Sequence, residues 1–260
     1  MHDWKTIFAT LAGVLMLSSG PSSAADITPS TEAFWTDLAV LDRKTWYVSD
    51  GWRNGNHQNC TWSRKAIEAV PGTGAVLTYL PEADGQEALC GEFQTKAFYQ
   101  YGTFEAHIRA NDAGPGLNAA FFLYTGQVHD QPHDEIDFEL LTKAPDLVWL
   151  NRYVDGNDLG AGQAYQAKPT ADGFHHLAIS WEPGRLRWYV DGVLAREETE
   201  HIPTHPMKVY FSHWGSDSFP GWMGRYAPSA TPNRMTVAQF SFTPLGQRCV
   251  FPGSITCEAP

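Results

Sequence analysis

The stretch GFHHLAISWEPGRLRWYVDG, running from Gly173 to Gly192, decides the fold. Apolar and polar residues alternate along 179–182 and 185–190, and Pro183-Gly184 between them supplies the residue types of a tight turn. Period two on both sides of a two-residue turn predicts an antiparallel hairpin. Asp191-Gly192 predicts a second turn directly after it.

The same grammar repeats outward in both directions. Turn pairs recur at Asp50-Gly51, Asn54-Gly55, Pro71-Gly72, Asp84-Gly85, Pro115-Gly116 and Asp155-Gly156. Between them lie short runs rich in β-branched and aromatic residues, at 75–80, 102–109, 119–124, 135–141, 147–154, 175–181, 185–190, 208–213 and 236–242. Many short strands with regular turn signals predict an all-β protein, a sandwich of antiparallel sheets. Only 31–41 reads as a short helix. No repeat, low-complexity tract or linker divides the chain, so residues 26–260 are expected to form one domain.

Composition narrows the function. The 260 residues are 13% aromatic and 18% charged, which excludes a disordered chain. A net charge of −11 and a pI near 5.3 argue against nucleic acid as partner. No apolar run approaches the roughly 20 residues that span a bilayer. Residues 1–25 read as an export signal: Lys5, an apolar run over 6–17, then small and polar residues ending in Ser23-Ala24-Ala25. Cleavage at Ala24 or Ala25 predicts a secreted protein, extracellular or periplasmic, whose charge remains −11 because Asp3 and Lys5 leave together. The four cysteines, Cys60, Cys90, Cys249 and Cys257, include no CxxC pair. In an oxidising compartment two disulfides are expected. Of the three possible pairings, loop length favours Cys249–Cys257 with Cys60–Cys90.

The chemistry concentrates in HDEIDFEL, His133 to Leu140. On a strand, Glu135, Asp137 and Glu139 share one face while Ile136, Phe138 and Leu140 share the other. Acids are depleted in strands and like charges on one face repel, so three in register cost stability unless they are used. Residues four apart have Cα atoms roughly 13 Å apart, at about 3.3 Å per residue. Inclined side chains bring the carboxyls toward the ~5–5.5 Å of a retaining glycosidase; a gap of ~6.5–9.5 Å would suit an inverting one. Crowded charge raises at least one pKa and keeps one carboxyl protonated as an acid. A calcium site or a solvated acidic face are the alternatives, and calcium loops favour irregular backbone over acids spaced by large apolar residues.

Sugars bind aromatic faces and polar groups together. Trp52, Tyr124, Tyr153, Trp214 and Trp222 lie near such partners as Asn54, Glu92, Asn151 and Ser212, whereas Trp181 and Trp188 on the alternating hairpin read as core.

These motifs together resemble glycoside hydrolase family 16. HDEIDFELL, with FFLYTG before it and WYVDG after it, takes the regular ExDxE form of bacterial lichenases and plant xyloglucan endotransglycosylases. FWTD, DGWRNG, NCTW, CGEF, YGTFEAHI, LNRYVDG and HWGSDSFPGWMGRY extend the likeness over nearly all of the chain after its signal. Within the family it looks most like secreted endo-β-1,3-1,4-glycanases that trim succinoglycan-type exopolysaccharide. The resemblance implies a concanavalin-like β-jelly-roll with a concave cleft, Glu135 as nucleophile, Asp137 as its assistant and Glu139 as general acid/base. It implies sugar contacts at Trp52, Asn54, Glu92, Tyr124, Asn151, Tyr153, Trp214 and Trp222, and it supports Cys60–Cys90, since NCTW and CGEF match segments joined in lichenases. His133, standing where lichenases often carry Trp, joins the candidate contacts. Gln94 replaces an Arg, which together with His133 leaves substrate choice open, and Ser241 replaces the Asp that binds calcium in lichenases, which leaves a structural calcium open.

The expectation is a monomeric, retaining endo-β-glycanase that requires no cofactor and takes a polysaccharide substrate, with neither membrane nor nucleic acid as partner. Its rivals are a xyloglucan-type transglycosylase, which product sizing would expose, and a non-catalytic carbohydrate-binding jelly roll, which would not need mutually repelling acids. Because an acidic protein repels an acidic glycan, Arg53 is expected to offset that repulsion near the cleft.

Overall fold

The structure, a computed structural model, describes residues 26–111, 114–159, 162–227 and 232–258; residues 1–25, where an export signal is expected, lie outside them. In chain order the strands are β1 (Phe34–Thr36), β2 (Trp46–Val48), β3 (Thr61–Trp62), β4 (Ile67–Val70), β5 (Gly74–Tyr79), β6 (Leu89–Thr95), β7 (Gly102–Ala110) and β8 (Leu117–Thr125). There follow β9 (Asp134–Leu141), β10 (Leu147–Tyr153), β11 (Gln163–Gln166), β12 (His175–Glu182), β13 (Arg185–Val190), β14 (Val193–Glu198), β15 (Lys208–Gly215) and β16 (Asn233–Pro244). Among the described residues the one α-helix, α1, is the four-residue Ile255–Glu258.

Two eight-stranded sheets result. One has the order β14-β13-β12-β7-β16-β5-β4, with β1 beside β16; the other has β11-β10-β9-β8-β15-β6-β2, with β3 beside β6. All pairings are antiparallel except β3–β6. The hairpin expected at Pro183-Gly184 joins β12 to β13 in the register Glu182↔Arg185, with Gly184 at φ 74°. Asp191 (φ 52°) and Gly192 (φ 77°) both take the left-handed conformation of a tight hairpin turn and launch β14.

The sequence reading of a helix at 31–41 is overturned. Phe34, Trp35 and Thr36 pair with Phe242, Ser241 and Phe240 of β16. The reason is tertiary: β5 covers that side of β16 only from Asn233 to Val237, and the remaining backbone groups of this long strand take β1 as their partner.

Side chains alternate between a shared core and the outer faces. Trp181 and Trp188 are fully buried in that core, as their alternating hairpin predicts. A ladder of phenyl rings runs across four strands of the second sheet, Phe93–Phe211–Phe121–Phe138, with successive centroids at 5.0, 5.2 and 6.0 Å. Each such pair contributes about 0.5–1.5 kcal/mol beyond area burial. Phe138 lies between Asp137 and Glu139, so the ladder braces the strand that carries the acids. From the opposite sheet, Trp188 Nε1 donates across the core to the Asp137 carbonyl at 3.1 Å.

Cys60–Cys90 and Cys249–Cys257 are both disulfide-bonded. The first ties the segment of β3 to β6, and Gln58 Nε2 donates to the Cys60 carbonyl beside it at 2.9 Å.

Candidate active site

The outer face of the second sheet floors a cleft of about 1230 Å³. Strand register orders its side chains in cross-strand rows. One row reads Trp149, Glu139, Ala120, Ser212, Glu92; the next reads Asn151, Asp137, Phe122, Tyr210, Gln94, Tyr47; a third reads Tyr153, Glu135, Tyr124, Lys208. The three acids of β9 thus stand in three successive rows, each flanked by an aromatic or amide group on β10.

All twelve residues expected at the site line this one cleft: Glu135, Asp137 and Glu139, together with Trp52, Asn54, Glu92, Tyr124, His133, Asn151, Tyr153, Trp214 and Trp222. Arg53 does not line it. Its guanidinium donates to Glu87 Oε2 at 2.6 Å and Thr61 Oγ1 at 3.0 Å, and neither partner lines the cleft. The expectation that Arg53 serves the cleft is corrected accordingly.

The reading of residues missed Trp149. It stands on β10 at period two with Asn151 and Tyr153, so strand alternation alone points to it. The Trp149 Nε1 and Asn151 Oδ1 atoms have no hydrogen-bond partner in the protein, which leaves a donor and an acceptor for hydroxyl groups beside the acids.

Electrostatics separates the carboxyls. Burial, then the charge of Glu135, pushes Glu139 up to about 8, while the Asn118 Nδ2–H donated to its Oε1 at 3.1 Å opposes the rise. Asp137 is held well above the usual carboxylate range by burial first, then by the charges of Glu135 and Glu139, and a hydrogen bond to Glu135 adds to the effect. Near neutrality, Glu139 is a proton donor and Asp137 a proton-bearing partner of Glu135. On the other flank, His133 Nε2–H donates to Glu135 Oε2 at 2.7 Å, and that bond raises the histidine pKa. The His133 ring stacks on Tyr153 at 4.9 Å and 15°, and meets Tyr124 edge-on at 5.3 Å. Farther along the floor, burial lifts Glu92 to about 7, and Ser49 Oγ–H donates to its Oε1 at 2.6 Å.

Two places bear on metal binding. Among the described residues the one cluster of possible ligands is Asp134, Asp155 and His205. There Asp134 Oδ1 accepts from Asp155 N at 3.0 Å, and Oδ2 accepts from Thr204 N, His205 N and His205 Nδ1 at 2.9, 3.1 and 2.9 Å. Four donors on one carboxylate make a clamp between loops, not an open cation site. At Ser241, the neighbouring carboxylate across the ladder is Glu105, whose oxygens accept from Ser254 Oγ, from Ile255 N and from His176 Nε2. A hydroxyl beside an occupied carboxylate does not fit a hard divalent cation, which takes six or more oxygens. Among the described residues no helix is long and apolar enough to cross a membrane.

Known proteins resemble this chain over most of its length. An endo-1,3-1,4-beta-glycanase, ExoK, of Rhizobium meliloti is 41% identical over 87% of this chain and 84% of its own. A beta-glucanase of Paenibacillus polymyxa is 32% identical over 86% of this chain and 90% of its own. The solved Bacillus licheniformis beta-glucanase superposes with a TM-score of 0.76 at 29% identity, covering 81% of this chain and 97% of that one. Residues 54–235 match the family described as glycosyl hydrolases family 16. The chain belongs to glycosyl hydrolase family 16.

Proposed function

We propose that the protein is a secreted, retaining endo-β-glycanase that hydrolyses β-1,3-1,4-linked glucan or a succinoglycan-type exopolysaccharide. The observation that carries this reading is the row order on β9: a carboxylate, a buried aspartic acid and a glutamic acid of raised pKa, on one face at the cleft floor. The sugar chain lies across the rows, its ring faces on the tryptophans and tyrosines and its hydroxyls on Asn54, Glu92 and Asn151.

In the first step a Glu135 oxygen forms a bond to the anomeric carbon as the glycosidic C–O bond breaks, and Glu139 passes its proton to the departing oxygen. Asp137 and His133 each present an N–H or O–H to Glu135, which holds the carboxylate in one orientation and steadies the charge it regains when the ester is cleaved. In the second step Glu139, now a carboxylate, takes a proton from water. The water oxygen bonds to the anomeric carbon, and Glu135 leaves with configuration retained. Loss of the Glu139 proton sets the alkaline limb of the pH profile. The features of residues 1–25 and the two disulfides support export.

The test is a reducing-end assay on lichenan, laminarin, xyloglucan and succinoglycan, with Glu135→Gln and Glu139→Gln as controls. Cleavage of lichenan or succinoglycan, lowered at least 10³-fold in both variants, is the expected outcome. Wild-type turnover in either variant would overturn the assignment of roles.

A further inference from the structure

A second, smaller pocket of about 420 Å³ opens where the sheets meet at β2 and β4, each the last strand of its sheet. Its walls come from the loop before β2, from β2, from β4 and from the residue after β6, and it shares Tyr47 and Lys96 with the cleft. The two spaces are therefore neighbours along one surface.

The charge of this pocket is opposite to that of the molecule. Acids outnumber bases 29 to 18 over the chain, yet Arg43, Arg64 and Lys96 line the pocket and no carboxylate does. Arg64 is paired with Asp50 at 2.8 Å. The other two have no acidic partner among the described residues: the Lys96 ammonium donates to the Arg43 carbonyl, and the Arg43 guanidinium is exposed. Asp42, next to Arg43, directs its carboxylate to the Lys44 and Thr45 N–H groups at 2.9 and 3.1 Å. Trp46, 2% exposed, also lines the pocket, and its indole packs into the core against Phe93, Phe211 and Phe240. Two cations without an acidic partner thus line a cavity that no carboxylate lines.

We propose that this pocket is an anion subsite that takes the carboxylate of an acidic substituent on a glycan chain lying in the adjoining cleft. The inference rests on the glycanase reading above, and it names a feature of the substrate: a chain whose sugars carry carboxylates. Elsewhere the net charge of −11 repels such a polymer. The pocket offsets that repulsion at one point and so selects where along the chain an acidic group sits. Arg43 supplies a planar, forked donor suited to a carboxylate, and Lys96 supplies a point charge at the boundary with the cleft.

The experiment compares barley mixed-linkage β-glucan with the same polymer lightly carboxymethylated, in the full chain and in Arg43→Gln, which lies outside the cleft. The quantity read is the ratio of kcat/KM on the carboxylated to the neutral polymer at low ionic strength. Arg43→Gln is expected to lower that ratio 5- to 10-fold with turnover of neutral glucan unchanged, Arg43→Lys to restore part of it, and about 0.3 M NaCl to erase the difference. An equal ratio in wild type and Arg43→Gln would overturn the proposal. So would a melting shift with inorganic phosphate that depends on Arg43 while both polymers behave alike, since the pocket would then hold a free anion. If neither polymer is cleaved, the glycanase reading fails separately. Retention of the two proteins in gels containing each polymer then decides the anion subsite: Arg43-dependent retention by the carboxylated polymer supports it, and equal retention rejects it.

Discussion

Two aspartates three residues apart on β9 are both almost fully withdrawn from water and have opposite surroundings. Asp134 is 0% exposed and accepts four N–H groups from three residues of two loops. Asp137 is 5% exposed and stands between Glu135 and Glu139. A buried carboxylate surrounded by donors ties loops together; a buried carboxylate surrounded by acids is held protonated against its own chemistry. The difference lies in which face of the strand each occupies and in what the neighbouring strands bring to that face. Burial alone does not distinguish a structural acid from a working one.

Exchanging the roles should separate them cleanly. Asp137→Asn keeps shape and neutrality but supplies no acidic proton to Glu135, and is expected to lower kcat on lichenan by about 10², near 2.7 kcal/mol of barrier, with an unchanged or higher Tm. Asp134→Ala leaves three backbone N–H groups and His205 without their acceptor, at a cost of roughly 2 kcal/mol once water replaces part of the clamp. For a domain of this size that lowers Tm by roughly 4–8 °C, while kcat stays within about twofold. Paired melting and kinetic measurements on the two variants check this. A kinetic defect in Asp134→Ala larger than in Asp137→Asn would break the comparison.

How much of this was legible beforehand follows the same division. HDEIDFEL declares both a strand and its use, because alternation and charge appear together. The hairpin at Pro183-Gly184 is equally plain. Strand β6 is not, although it carries Glu92 and Gln94 to the cleft. A Cβ at its Gly91 would come within 2.9 Å of Ile67 Cγ1 and 3.0 Å of the Ala66 carbonyl, so close packing requires glycine where strand propensity disfavours it. β1 escaped for another reason: what makes 34–36 a strand is the free side of β16, some two hundred residues away. Arg53 was misplaced because its partner, Glu87, comes from a different loop. The pocket at β2 and β4 joins two sheet edges, an adjacency no local pattern carries. Local alternation is readable in sequence; contacts between loops and sheet edges are not.

The charge on the working face should also appear in stability. The Glu139 carboxyl titrates near 8 when folded, against about 4.5 in the unfolded chain. Between those values the native state holds a proton that the unfolded state has released, so stability falls as pH rises through this window. Asp137 and Glu92, raised in the same sense, add to the slope. Glu139→Gln is neutral at every pH and should flatten the decline, raising Tm at pH 8 relative to pH 5 by roughly 2–5 °C against wild type. A parallel decline in wild type and Glu139→Gln would mean that the acid carries no folding penalty.

The finest contrast concerns Asn118, which gives Glu139 the kind of contact that Asp134 has in abundance, a single N–H at 3.1 Å. A donor on the charged form favours ionisation, so the amide restrains the Glu139 pKa against burial and against Glu135. Removing it in Asn118→Ala should move the alkaline limb of kcat/KM upward by roughly half a unit to one unit, about 0.7–1.4 kcal/mol, with maximal activity lowered only a fewfold. The amide oxygen has no partner in the protein, so the opposite rotamer would accept from the protonated acid and favour neutrality. A downward shift of the limb in Asn118→Ala would therefore identify that arrangement as the working one. In either case one hydrogen bond on a strand adjoining β9 adjusts a limb that burial and Glu135 have raised.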